Sequence, residues 1–226
     1  MKQRNVRRFA SVLMIAGPVI AIVAGRFHGG ADPQNLLGVL PEYAANPYWK
    51  AVHLGQFLGF LLIVGALLLV LNDLRPASPL AMLGGVAAVV AASSYAANQA
   101  VDGIAIQFVA RAFVEAPAQE RAMALSIAEA VRHIEQGLSG MVAINLGIAL
   151  ALLGGAIILS RALPSWLGWT AALAGAAQLV IGISLYFLGF SQHVLAFWAG
   201  VSLLIWMLVA AVVLWRRSDD DTAPGA

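Results

Sequence analysis

The chain has no cysteine and very little charge. Without thiols it can form no disulfide and offers no thiolate as nucleophile or metal ligand, so any metal has to be held by nitrogen and oxygen. Asp, Glu, Lys and Arg together make up 11% of the 226 residues, and a net charge of +2 is too small to point to nucleic acid. What the sequence has instead is apolar surface, with 61% hydrophobic residues and a mean hydropathy of +0.86. A soluble domain of this size cannot carry so much, so an integral membrane protein is expected, with the lipid bilayer as its first partner. The few charges sit in connections and tails. That fits the cost of a charge at the bilayer centre, about 2.5–3.5 kcal/mol on insertion scales.

The apolar runs predict an all-α, single-domain bundle of six transmembrane helices over residues 1–217, followed by a disordered acidic tail at 218–226. The first run, 9–25, contains Pro18 and follows a basic flank of Lys2, Arg4, Arg7 and Arg8. Small residues at 21–25 also fit a cleaved signal peptide, but the run is long for one and its exit is poorly defined. Further spans are expected at 50–71, 80–102, 136–159, 166–189 and 193–215. Turns rich in helix breakers separate some of them, at 72–79 and 160–165. The long connections are 26–49 and 111–128, and in the second Pro117 is expected to open a helix that feeds the fourth span.

Under this division Lys2, Arg4, Arg7, Arg8, Arg75, Arg161, Arg216 and Arg217 share one side, in short segments. Arg26, Lys50, Arg111, Arg121 and Arg132 share the other, in longer ones. The positive-inside rule then puts both termini in the cytoplasm, in a bacterial inner membrane. Gly140, Gly147 and Gly154 recur every seven residues, as do Gly168, Gly175, Gly182 and Gly189, which predicts a close packing seam between the fourth and fifth spans. Gly55 and Gly59 form a small-xxx-small pair in the second span. An echo at an offset of 88 residues, with Leu58, Gly59, Leu62, Leu71 and Pro76 matching Leu146, Gly147, Leu150, Leu159 and Pro164, is of a kind that apolar helices produce easily.

Candidate chemistry gathers around AEAVRHIEQGLSG, residues 128–140. At about 100° per residue, Glu129, Arg132, His133 and Gln136 share one stripe, and Ile127, Val131, Ile134 and Leu138 the opposite face. The six-span division puts His28, His53, His133 and His193 at the same outer boundary, with Asp102, Glu129 and Glu135. Ordinary interfacial solvation, with Glu129 bridging to Arg132 or His133, accounts for such groups most simply. The gathering of every histidine on one side favours a ligand site of His53, Gln56, Asn98, Asp102, Glu129, Arg132 and His133. A divalent metal there has His53, Asp102, Glu129, His133 and His193 as candidate ligands, Glu129 and His133 being one helical turn apart. Haem held by His53 with His133 or His193 is a further alternative, without an axial-ligand motif behind it. Asp102, Asn98 and Glu135 also fit a cation or headgroup pocket, but the inner halves of the spans hold almost no ionisable group for a through-path. No nucleophile elbow supports serine hydrolysis.

RFHGGADP, NPYWKAVHLGQFLG, VDGIAIQ, IAEAVRHIEQGL and LPSWLGW together resemble a bacterial family of uncharacterised six-span membrane proteins, domain of unknown function 4386. The resemblance covers most of the chain and implies architecture only. The matching positions are His28, His53, Asp102 and Glu129, and no catalytic or binding role comes with them. The function expected is binding of a small ligand or metal at the outer cluster. Its alternatives are an auxiliary or scaffold subunit of a membrane complex, or a homo-oligomer of such a subunit, and a membrane-embedded metal-dependent hydrolase.

Overall fold

The computed structural model describes residues 3–30, 32–74, 78–191 and 193–220, the side chains of His193 and Asp220 excepted. The elements are α1 (Gln3–Gly25), α2 (Leu36–Ala45), α3 (Trp49–Leu74), α4 (Pro79–Ala100), a π-helical segment (Val101–Ile106), α5 (Gln107–Glu115), α6 (Arg121–Ser160), α7 (Ser165–Leu188), a 3-10 turn (Gly189–Ser191) and α8 (His193–Asp220). No strand occurs among the described residues. Six helices are long and apolar enough to cross a membrane, α4 running through the π segment into α5 as one of them.

Packing follows chain order. Helix α1 lies on α3, α3 on α4, α4 on α6, α6 on α7, α7 on α8, and α8 returns to α1, closing a ring. Met14, Leu67, Leu71, Leu150, Leu153, Ile157, Leu167 and Met207 fill its centre toward the end that carries both termini. There Arg7 pairs with Asp73 at 3.1 Å and Arg8 with Asp219, tying α1 to α3 and α8.

The expected glycine seam joins α6 to α7 in antiparallel register. A Cβ on Gly140 would stand 3.0 Å from the Gly182 carbonyl oxygen, one on Gly147 2.8 Å from that of Gly175, and one on Gly154 2.5 Å from that of Gly168. No side chain fits at those separations, so glycine is what lets the two backbones meet. Gly189 departs from the series: with φ at 71° it ends α7 in the left-handed region. A second contact of the same kind joins α3 to α1, where Gly59 faces the Gly17 carbonyl and Gly55 faces Ala24. Gly59 thus packs on the preceding span and Gly147 on the following one, so the echo at 88 residues does not correspond to repeated pairing.

Three expectations are corrected. The third long helix does not end near Asp102 but continues to Glu115, beyond the expected span, because Ile106, Val109, Ala110 and Phe113 recur at helical spacing and are buried. The connection expected at 111–128 shrinks to residues 116–120, where extended Ala116 precedes Pro117, and the next helix starts at Arg121 rather than at Pro117. Ser218 to Asp220, expected in the solvated tail, continue α8, with Ser218 buried; residues 221–226 of that tail lie outside the described residues.

Helix α6 has 40 residues, about 60 Å at 1.5 Å per residue, against a hydrocarbon core of about 30 Å. Its first turns, with α5 and α2, therefore form a head beyond the membrane-sized part of the bundle. Val39, Leu40, Tyr43, Trp49, Ile106, Val109, Phe113 and Ala128 are its core.

Candidate metal centre

His53 stands on the second turn of α3, 2% exposed. Its Nδ1 lies 2.7 Å from the Trp49 carbonyl oxygen, one turn earlier. A carbonyl only accepts, so Nδ1 carries the proton and Nε2 is a bare lone pair whenever the ring is neutral. Nε2 lies 3.0 Å from Oδ2 of Asp102 and makes no hydrogen bond. The two groups form an ion pair when the ring carries a second proton, and a metal ion beside both is the other way to satisfy the lone pair and the carboxylate together. A histidine oriented through Nδ1 by a backbone carbonyl, with Nε2 presented, is the usual support of a metal-bound imidazole.

Asp102 reaches His53 because α4 widens into the π segment at Val101–Ile106. Single π turns inside α-helices occur frequently at functional sites, where they re-aim side chains. Two contacts hold this one: the Trp49 indole Nε1 donates to the Asp102 carbonyl at 2.8 Å, and Gly103 lies against His53, where a Cβ would stand 2.8 Å from the histidine's own. His28, on the loop after α1, completes the group. Its ring centroid is 4.7 Å from that of Trp49 and 5.2 Å from that of His53, and it meets Tyr43 edge-on. Burial pushes the His28 imidazole below its ordinary pKa, toward the neutral form that binds metals. Ligand atoms of His28, His53 and Asp102 all lie within 4.8 Å of one another. Ligands about 2.0–2.2 Å from one ion stand about 3.4 Å apart, so the three side chains would have to close by roughly an ångström to hold one.

The loop and α2 form a lid over the centre. Asn46 Nδ2 donates to the Phe27 carbonyl at 2.9 Å, and the Gly30 N–H donates to Glu42 Oε1 at 2.7 Å. Gly29, at φ 111° and close against the Glu42 carboxylate, leaves no space for a side chain. Gln107 Nε2 donates to the carbonyls of Tyr43 and Asn46, and Arg132 donates to that of Pro33 at 3.1 Å. Arg132 also pairs with Glu135 at 2.6 Å and lies over Phe190. Tyr43, stacked 4.2 Å from Trp49, has its phenol pushed up to about 12 by burial.

Of the residues singled out from the sequence, the fold brings together His53 and Asp102, with His28 as third member. Asn98 lies one turn below Asp102 and accepts from Ser139 Oγ at 3.2 Å, while Gln56 lies one turn below His53, beside Gly25 of α1. Glu129 and His133 are exposed and, with Arg132 and Gln136, line a different cavity of about 300 Å³ against Pro33, Leu188 and Phe190. They do not join the three-residue centre, and His133 and His53 do not face a common haem space. The reason is helical: Glu135, buried toward the bundle, stands about 200° around α6 from His133. Arg132 takes Glu135 as partner, not Glu129 or Asp102. The side chain of His193 lies outside the described residues. The sequence signal for His28 is indirect: Trp49 and His53 set an aromatic platform one turn from an imidazole, and only the lid's fold shows which loop residue covers it. No family model, curated protein or solved structure matches the chain.

Proposed function

We propose that this multi-pass membrane protein binds a divalent transition metal of the zinc class through His28, His53 and the Asp102 carboxylate. The observation that carries the reading is the buried His53 Nε2, left without a hydrogen bond 3.0 Å from a carboxylate while Nδ1 is engaged by a carbonyl. Two imidazoles and one carboxylate suit zinc and its neighbours rather than calcium or magnesium, which prefer all-oxygen sites. Three protein ligands leave a coordination position for a further ligand, which supports a binding or hydrolytic role over a scaffold role. When bound, such an ion supplies Lewis acidity at that position. By the charge asymmetry of its connections, the protein sits in a bacterial cytoplasmic membrane with both termini inside and the centre on the outer side. Membership of the six-span family it resembles belongs to the same proposal.

Protein purified without chelator should carry stoichiometric metal by elemental analysis, or show the visible bands of a tetrahedral site when loaded with cobalt. His28→Ala, His53→Ala and Asp102→Asn should each lose it while the bundle still folds. Metal-free wild-type protein that also fails to take up zinc or cobalt would overturn the reading.

A further inference from the structure

A second opening reaches His53, from the side of the bundle. Between α3 and the α4–π segment lies a groove of about 280 Å³ whose lining includes Lys50, His53, Phe57, Gln99, Gly103 and Ile104. Leu54 and Ile104, 59% and 54% exposed, form its rims. The exposed faces below it carry Leu58 and Leu61 on α3 and Val86, Val89 and Val90 on α4, with Ser93 among them bonding its hydroxyl back to the Val89 carbonyl. In a membrane those faces meet acyl chains, so the groove opens to the bilayer and not to water. Three polar groups enter it. Lys50 stands at the rim, His53 lines the inner wall with its buried Nε2 beside Asp102, and Gln99 buries Oε1 without a hydrogen-bond partner.

Each of these constrains an occupant. Buried acceptors are normally satisfied, so Gln99 Oε1 calls for a hydroxyl or N–H donor. Lys50 calls for an anionic oxygen at headgroup level. The apolar rims and the faces continuing below them call for a hydrocarbon chain, which a water-soluble metabolite lacks. We infer that the groove binds one anionic, hydroxyl-bearing glycerolipid that enters laterally and brings its polar head to His53. The inference rests on the reading of the cluster as a metal site and names the class of ligand delivered to it.

The test uses the full-length protein taken from bilayer nanodiscs holding equal phosphatidylglycerol and phosphatidylcholine, with retained lipid counted by native mass spectrometry and metal by elemental analysis of the same samples. Both lipids carry a phosphate, but only phosphatidylglycerol has free hydroxyl donors and a net negative head. The expected result is one retained phosphatidylglycerol, preferred by roughly threefold to tenfold, the range one hydrogen bond gives. Gln99→Leu should remove the preference and Lys50→Gln should weaken retention. Ala96→Phe, or Ala100→Leu as a smaller filling, occupies the groove from the exposed face of α4 while leaving every cluster residue in place, and should abolish retention with metal content unchanged. Equal retention of the two lipids by wild-type protein, or undiminished retention in both filled variants, overturns the inference while bound metal keeps the metal reading intact. Phosphatidylglycerol preference in a protein that takes up no metal supports the groove and sinks the metal reading instead.

Discussion

His53 and Asp102 are held by backbone, through the Trp49 carbonyl and the π segment, and so keep their geometry when neighbouring charges change. Arg132 and Glu135 differ: they hold each other, with side chains only 11% and 5% exposed. Removing one member of such a pair strands the other's charge, at a cost of roughly 3–5 kcal/mol. Glu135→Gln should therefore lower the melting temperature in detergent, and Glu135→Gln with Arg132→Gln should regain much of the loss; a double variant no better than the single would show that the two groups are not coupled. Tyr43 gives a pH prediction. Its folded pKa of about 12 lies above the ordinary value of 10.0, so the unfolded chain loses the phenolic proton first. Its contribution to stability is full below 10 and falls as pH rises toward 12. Tyr43→Phe should flatten that alkaline decline in melting experiments, and an unchanged slope would assign it to other groups. His53 and Asp102 were legible in the sequence because a polar side chain in an apolar run is conspicuous by itself. His28 was legible as a boundary histidine but not as a member of the cluster, because its place depends on how Asn46, Glu42 and Arg132 fold the lid. Glu129 and His133 misled for the opposite reason: one turn apart on a helix, they form a pair that faces away from the centre.

The α6–α7 seam is the element-scale feature that the sequence states most directly, since seven-residue glycine spacing survives translation into structure without help from loops. With Cβ positions at 2.5–3.0 Å from opposing carbonyls, a larger side chain forces the helices apart. Gly147→Leu and Gly175→Leu should each destabilise the bundle by about 1–3 kcal/mol, the usual cost of overpacking. Ala176→Leu, on the exposed side of α7 next to Gly175, should cost little. Equal melting of all three would refute the seam. Helix α2 and the π segment were not legible, and both depend on partners. Helix α2 is ten residues long with Pro41 inside, and its apolar residues Val39, Leu40 and Tyr43 make sense only against α5, in a stretch that reads as connection. The π segment VDGIAI has no local signature; its widening is fixed by the indole bond to the Asp102 carbonyl and by the approach of Gly103 to His53.

At the scale of the whole molecule, six spans and their order were legible from hydropathy, and the ring they form follows from short connections between neighbours. The head was legible only in part: the helix that feeds the fourth span was expected, but α5, too polar to read as membrane span, lies largely in a stretch that reads as connection. Its existence makes the orientation measurable. The absence of cysteine means that a single introduced thiol is the sole labelling site on the chain. Ala122, exposed near the tip of α6, and Arg161, exposed in the turn after its far end, mark opposite ends of a helix about 60 Å long. In intact cells Ala122→Cys should react with a membrane-impermeant maleimide, and Arg161→Cys should react only after permeabilisation. The bundle holds apolar core and paired arginines at the terminal end and imidazole, carboxylate and lid at the other, so the two ends face different chemistry whichever way it is inserted. Labelling of Arg161→Cys without permeabilisation, with Ala122→Cys protected, would invert the proposed orientation and turn the His28–His53–Asp102 cluster toward the cytoplasm.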